Sequence, residues 1–158
     1  MAFDDDHPVG AFDEDEQTVL VSSFSPGSFF ADRYRIETLL GSGAMGRVYD
    51  ATELRTGRRV ALKVLHKERL GEVETVERFR REAEVLASIG HPCIVQVHTF
   101  HHASDGAPYL AMELLEGVTL KRRLESGPIE DPLAFQAILD PICAALGAAH
   151  ARGVVHRD

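Results

Sequence analysis

Apolar residues recur with two different periods along this chain. A period of two residues predicts strands in its first part, and a spacing of three and four residues predicts helices further on. Residues 33–53 predict two antiparallel strands joined by a glycine-rich turn, and residues 58–65 predict a third strand. In the third strand, period-two geometry puts the apolar positions 60, 62 and 64 on one face. Lys63 falls on the other face, between Ala61 and Leu65. An ammonium group there needs an anion, unless it reaches solvent along an edge strand.

A helix is predicted over residues 73–89, because apolar residues recur there at three- and four-residue spacing. Its apolar stripe consists of Val76, Phe79, Ala83 and Leu86. Glu82 falls on or beside this stripe, which leaves two interpretations of its carboxylate. It is an exposed flank residue, or it is the anion that Lys63 needs. Glu84 takes that second role if the helix register differs by half a turn.

The second half of the chain predicts a buried strand and a long helix. The strand begins at Tyr109 and ends in a connector at Gly117. Asp131 and Pro132 predict a helix start, since a capping carboxylate precedes proline at the first helical position. Gly153 suits the end of this helix, and an interior proline at position 141 is expected to kink it. Its apolar stripe consists of Phe135, Ile138, Ile142, Leu146 and Ala149.

Negative charge is concentrated at the N-terminus. The first 28 residues hold seven Asp or Glu residues and no Lys or Arg, within a net charge of −8. This composition predicts a disordered segment over residues 1–30. The segment is a solvated leader, a docking segment, or a segment that carries modified sites at Thr18, Ser22 and Ser23. Its acidity argues against nucleic acid as a partner.

Cysteine usage and hydropathy predict a soluble, cytoplasmic chain. Cys93 and Cys143 lie far apart in apolar contexts, which favours buried thiols in a reducing compartment over a disulfide. No signal peptide is visible, and no apolar run approaches the length that spans a bilayer. A membrane anchor in a longer parent protein is left open.

Three histidines raise the question of a metal site. His98, His101 and His102 lie close together, and they flank a predicted turn over residues 104–106. No Cys or carboxylate joins them at ligand spacing. We therefore predict no metal site in this chain.

The candidate chemistry begins with Gly41, Gly43 and Gly46. Their G-x-G-x-x-G spacing removes Cβ atoms from a short loop, so that backbone N–H groups can close on phosphate oxygens. The spacing alone also fits a dinucleotide-binding enzyme. That fold needs a helix after the glycines and a carboxylate further on. Here strand-like sequence follows, and then a lysine, so a dinucleotide-binding enzyme is disfavoured.

The stretch Gly41–Val48, taken with Val60-Ala61-Leu62-Lys63, resembles the N-terminal lobe of eukaryotic-like protein kinases, and the bacterial serine/threonine branch in particular. The resemblance implies that the glycine loop, including Ser42, binds the phosphates of ATP. It also implies that Val48 and Ala61 cover the adenine, although ordinary strand packing would equally explain both. Lys63 would pair with Glu82 of the helix that the family calls αC.

Two later stretches agree with this resemblance. Residues 91–95 resemble the family's link from αC into the fourth strand, and residues 109–117 resemble the fifth strand and the hinge. Met112 then occupies the gatekeeper position behind the adenine. The backbone of Glu113 and Leu115 would hydrogen-bond the adenine edge.

The last three residues, His156-Arg157-Asp158, match the opening of the family's catalytic loop. Asp158 would accept the proton of the substrate hydroxyl. The family's magnesium ligands, an asparagine and the aspartate of D-F-G, come later than this residue. The 158 residues by themselves are therefore expected to be a truncated and inactive part of a kinase.

The implied fold class is α+β: a kinase N-lobe with an antiparallel five-stranded sheet and αC, followed by the first helices of an incomplete helical C-lobe. The expected domains are an acidic segment (1–30), the N-lobe with its hinge (31–116) and the start of the C-lobe (117–158). The implied function is transfer of the ATP γ-phosphate to protein Ser or Thr hydroxyls with Mg²⁺. The alternative is a non-catalytic module that binds nucleotide or a partner.

Overall fold

Residues 24–155, which the computed structural model describes, form a six-stranded antiparallel sheet and three α-helices. The strands are β1 (Phe29–Phe30), β2 (Tyr34–Ser42), β3 (Gly46–Glu53), β4 (Arg59–Leu65), β5 (Val97–His102) and β6 (Pro108–Glu113). The helices are α1 (Val73–Ile89), α2 (Leu120–Glu125) and α3 (Pro132–His150), and a 3₁₀ turn covers Lys67–Arg69. The strand order is β1-β2-β3-β4-β6-β5, and every neighbouring pair is antiparallel.

The alternation in β4 separates two clusters of buried residues, as the period-two pattern predicts. The first cluster consists mainly of Phe30, Tyr34, Ile36, Tyr49, Val60, Leu62, Val64 and Tyr109. The second cluster consists of Leu65, Phe79, Ala83 and Leu110. Since Phe79 and Ala83 belong to α1, the second cluster lies between α1 and the face of the sheet that carries Lys63. The sheet and α1 therefore form two layers, which confirms the predicted α+β architecture.

The short strand β1 corrects the expectation of five strands and of disorder up to residue 30. Phe24 packs edge-to-face on Phe30 and Tyr49, with ring centroids 5.1 and 5.7 Å away. Phe30 is 4% exposed. These aromatic residues bury apolar surface at the end of an otherwise acidic segment, so the average composition of that segment hides them. The remainder of the predicted segment, residues 1–23, lies outside the described residues, and the domain boundaries remain predictions.

The long helix α3 begins as predicted. The N–H of Leu133 donates to Asp131 Oδ1 at 3.0 Å, and Pro132 is the first helical residue. The helix continues through Pro141 and ends at His150, three residues before Gly153 adopts a φ of +73°. Much of its apolar surface is exposed, since Phe135 is 50% and Ile142 42% accessible.

The expectation that no segment could span a membrane holds only in part, and the expectation of buried cysteines is wrong. Among residues 24–155, α3 is the one helix that is long and apolar enough to cross a membrane, by length and composition only. The reason is that Asp140 is its only Asp, Glu, Lys or Arg. Cys93 and Cys143 are exposed rather than buried, because the former lies in the connection before β5 and the latter on the open surface of α3.

Candidate nucleotide-binding site

One row of cross-strand partners assembles most of the predicted site. Gly41 lies opposite Val48, Val48 lies opposite Lys63, and Lys63 lies opposite Leu110. Directly opposed residues of antiparallel strands share a face of the sheet. Because Leu110 belongs to the cluster beneath α1, the whole row faces that helix.

The neighbouring row contains the other predicted adenine contacts. Ala61 lies opposite Met112, which is half-buried and packs against the cluster beneath α1. Ala61 is 6% exposed. The structure therefore brings Val48, Ala61 and Met112 together beside Lys63. Ala61 is also an ordinary buried strand residue, so its position satisfies both interpretations of it.

Lys63 and Glu82 form an ion pair between β4 and α1. Lys63 Nζ lies 2.6 Å from Glu82 Oε1, with the lysine side chain 18% and the glutamate side chain 40% exposed. The ammonium also lies 5.5 Å from the centroid of the Phe79 ring. Glu84 pairs with Arg80 on the same helix instead. The predicted pairing of Lys63 with Glu82 is present, and the alternative register is wrong.

The three glycines of the loop have different roles in the fold. A Cβ on Gly46 would lie 3.0 Å from the carbonyl carbon of Val64 and closer still to its oxygen. A Cβ on Gly41 or Gly43 would meet no atom within 4 Å. Gly46 is therefore required by the contact of β3 with β4, whatever the loop binds. The open space at Gly41 and Gly43 fits the close approach of a ligand.

The hydrogen bonds of the loop leave specific N–H groups free. The N–H of Gly43 donates to the carbonyl of Gly46 at 2.9 Å. Within residues 24–155, the N–H groups of Ala44 and Met45 donate to no protein group. Two consecutive free N–H groups suit an anion such as a phosphate. The N–H groups available for phosphate are therefore those between the glycines, and not that of Gly43 itself.

The predicted hinge follows β6. The N–H of Glu113 donates to the carbonyl of Gln96 at 2.8 Å, so this N–H is not available to a ligand. Leu115 is 68% exposed, and its N–H and C=O make no hydrogen bond within the described part of the chain. An accepting carbonyl and a free N–H two residues apart can pair with the donor and acceptor edge of an adenine.

Sequence reasoning overlooked two features of this region. Leu40 is 52% exposed immediately before Gly41, at a shift in the register of β2 against β3. A large apolar residue next to the first glycine would have indicated it. Asp50, which is 5% exposed, pairs with Arg59, whose Nε lies 3.1 Å from Asp50 Oδ1. This second ion pair joins β3 to β4 near the hinge. The alternation of apolar and polar residues in these two strands does not predict that Asp50 and Arg59 form a pair.

The predicted catalytic base and the three neighbouring histidines are not part of this site. Asp158, with His156 and Arg157, lies outside the described residues, so its catalytic role remains a prediction. Within residues 24–155, no three His, Cys, Asp or Glu side chains are grouped to hold a metal ion. His101 instead stacks on Tyr109, with ring centroids 6.1 Å apart, and burial lowers the pKa of His98.

A glycine hairpin beside a strand lysine, paired with a carboxylate from the one helix on that face, defines the N-terminal lobe of a protein kinase. Sequence comparison agrees, since residues 34–158 match the protein kinase domain family. This chain belongs to that family.

Bacterial kinases are among its similar relatives. The chain is 38% identical over 135 residues to the serine/threonine-protein kinase pkn2 of Myxococcus xanthus. This alignment covers 85% of this chain and 16% of that protein. The chain is 39% identical over 135 residues to the serine/threonine-protein kinase PknB of Mycobacterium tuberculosis, covering 83% of this chain and 21% of that protein. The chain thus spans about a fifth of the length of these relatives.

Solved structures show the same fold. The crystal structure of the Mycobacterium tuberculosis PknI kinase domain matches with a TM-score of 0.66 and 34% identity. The match covers 86% of this chain and 56% of that chain. The chain therefore corresponds to about half of a kinase domain.

Proposed function

We propose that this chain binds ATP and, within a complete kinase domain, transfers its γ-phosphate to Ser or Thr hydroxyls of proteins. The ion pair between Lys63 and Glu82 is the observation that carries the proposal. The names of the similar relatives, which are serine/threonine-protein kinases, support the choice of substrate hydroxyl.

The residues present fit ATP. The ammonium of Lys63 would bind the α- and β-phosphates, and Glu82 would hold that ammonium in place. The free N–H groups of Ala44 and Met45 would bind phosphate oxygens from the loop. Open space at Gly43 lets the backbone approach those oxygens.

Apolar surface and the hinge would bind the base. Leu40, Val48 and Ala61 would enclose the adenine, with Met112 behind it. The carbonyl of Glu113 and the N–H of Leu115 would pair with its polar edge. Apolar walls with a few placed polar groups are typical of small-molecule sites.

In the transfer step, Asp158 would accept the proton of the attacking hydroxyl while Lys63 keeps the phosphates in position. Bound Mg²⁺ would neutralise the charge that develops on the transferred phosphoryl group. By the family order, the residues that hold Mg²⁺ follow Asp158.

The direct test is calorimetric titration of the chain with Mg-ATP and with NADH, followed by a phosphate-transfer assay on a generic protein substrate with the complete domain. Binding of ATP and the appearance of phosphoserine or phosphothreonine are expected. Nucleotide binding without any transfer by the complete domain would favour a non-catalytic module instead. Preference for NADH would reject the proposal.

A further inference from the structure

His66, the first residue after β4, touches the glycine-rich loop twice. Its ring Nε2 lies 3.1 Å from the carbonyl oxygen of Gly43. Its backbone N–H donates to the carbonyl of Met45 at 3.0 Å. Because a carbonyl oxygen only accepts, the first contact requires a hydrogen on Nε2. Two carbonyls of the loop are therefore tied to one residue.

The loop also has an apolar contact. Met45 is half-buried and packs against the cluster that contains Leu65 and Phe79. Phe79 belongs to α1, and its ring lies 5.5 Å from Lys63 Nζ. The tip of the loop is thus held against the end of β4 and against the helix that carries Glu82.

These contacts decide which backbone groups remain for a ligand. With the carbonyls of Gly43 and Met45 occupied by His66, the N–H groups of Ala44 and Met45 remain without a protein acceptor among residues 24–155. A loop rich in glycine loses much conformational freedom when it closes on a ligand. A side chain that holds the loop beforehand lowers that entropic cost of binding.

We propose that His66 is a positioning residue for phosphate binding, which holds the loop through Gly43 so that the N–H groups of Ala44 and Met45 are already placed for the phosphates of ATP. This inference rests on the proposed binding of ATP. His66 need not touch the nucleotide, and its ring acts through the loop backbone.

The contact does not depend on a charged imidazole. Both the neutral tautomer with hydrogen on Nε2 and the imidazolium can donate to Gly43. A glutamine at this position also offers an N–H donor at the end of a side chain of similar reach. His66→Gln should therefore keep a hydrogen bond to the carbonyl of Gly43, whereas His66→Ala should lose it.

Three variants of the full chain test this role: His66→Ala, His66→Gln and the control His101→Ala. His101 is an exposed histidine on β5 whose ring stacks on Tyr109 and not on the loop. Calorimetry gives the dissociation constants for Mg-ATP and for adenosine, which lacks phosphates. Hydrogen exchange reports the N–H of Gly43, which is bonded to Gly46.

His66→Ala should raise the dissociation constant of ATP about threefold to tenfold, the effect of one exposed hydrogen bond, and leave that of adenosine unchanged. It should also accelerate exchange at Gly43. His66→Gln and His101→Ala should behave like the wild type in both measurements. Equal losses for ATP and adenosine, or a glutamine variant as weak as the alanine variant, would overturn the role of His66. A wild-type chain that binds neither ligand is a different result, which removes the proposed function and this inference with it.

Discussion

Nζ of Lys63 lies 2.6 Å from Oε1 of Glu82, although the two residues belong to different layers of the fold. The pair contributes little to stability, because Glu82 is 40% exposed and water screens such pairs. The cluster of Leu65, Phe79, Ala83 and Leu110 already holds α1 on the sheet. An ion pair that the fold does not need for stability, in a row with Gly41 and Val48, is better explained by a ligand.

Replacing Lys63 by methionine should abolish phosphate transfer in a complete kinase domain and leave the fold intact. Methionine keeps the apolar stem but removes the charge that binds the phosphates. Lys67→Met is the matched control, since Lys67 is 55% exposed and pairs with Asp105 at 2.9 Å. Transfer assays and thermal unfolding of both variants give the comparison. Full activity of Lys63→Met would reject the role assigned to Lys63.

Glu82→Gln should reduce transfer by at least about tenfold, because a charge-assisted hydrogen bond to the ammonium becomes a weaker neutral one. Glu84→Gln is the control on the same helix, as Glu84 pairs with Arg80 on the exposed side. It should retain activity close to the wild type. The Michaelis constant for ATP and the turnover number of both variants are the measurements. A larger loss from Glu84→Gln would mean that the contact with Lys63 has been misassigned.

The glycines should separate into a structural and a ligand-binding position. Gly46→Ala should lower the free energy of unfolding by about 1–3 kcal/mol, since its Cβ meets the Val64 carbonyl. Gly43→Val should leave stability nearly unchanged, because the site is open, and weaken ATP much more than adenosine. Urea unfolding and ligand titrations distinguish the two effects. Equal losses of both ligands in Gly43→Val would show that the loop does not contact phosphate.

The sequence predicts this site well where a side chain breaks a pattern. Lys63 interrupts an apolar strand and Glu82 interrupts an apolar helical stripe, so each needs a partner and the two satisfy one another. The glycine spacing locates the loop in the same way. The two faces of β4 follow from strict alternation, which leaves little freedom in register.

The remainder depends on contacts between segments that have no local pattern. His66 reaches Gly43 across 23 positions of sequence, and Asp50 finds Arg59 only once β3 and β4 are paired. The clash that makes Gly46 necessary comes from the backbone of Val64, which carries no side-chain signature. The strand β1 was hidden because Phe30 buries its ring within a segment whose overall charge indicates disorder.

Stability should fall in acid partly through Glu53. Hydrogen bonds from Thr56 and then from Arg33 hold the pKa of Glu53 below its ordinary value. A carboxyl with a lowered pKa in the folded state stabilises the fold above its unfolded pKa, and this contribution disappears as the pH falls through the folded pKa. Glu53→Gln should therefore cost about 1–3 kcal/mol at pH 7 and progressively less below about pH 4.

Urea unfolding at several pH values measures this difference. The control is Glu74→Gln, because the Glu74 side chain is 89% exposed and its nearest cation, on Arg78, is 3.5 Å away. That variant should unfold like the wild type at every pH. A difference between Glu53→Gln and the wild type that does not change with pH would mean that Glu53 acts through packing and not through its charge.

The 158-residue polypeptide, produced alone, should not transfer phosphate even where it binds nucleotide. This chain covers 56% of the matched PknI kinase domain, so that domain is almost twice as long as the matched part. By the family order, the residues that bind Mg²⁺ come after Asp158, and without them the charge on the transferred phosphoryl group is not neutralised.

The test compares this polypeptide with one extended by the second half of a bacterial kinase domain, each with Mg-ATP and a generic protein substrate. Asp158→Asn in the extended polypeptide is the control that assigns any transfer to the predicted base. The short polypeptide should also self-associate, because α3 exposes Leu133, Phe135 and Ile142 in the absence of a partner. Phe135→Glu should reduce that association and leave urea unfolding of the sheet unchanged, because Phe135 belongs to neither buried cluster of the sheet. Transfer by the short polypeptide at a rate near that of the extended one would contradict this prediction, and the magnesium ligands would then have to be sought among its own 158 residues.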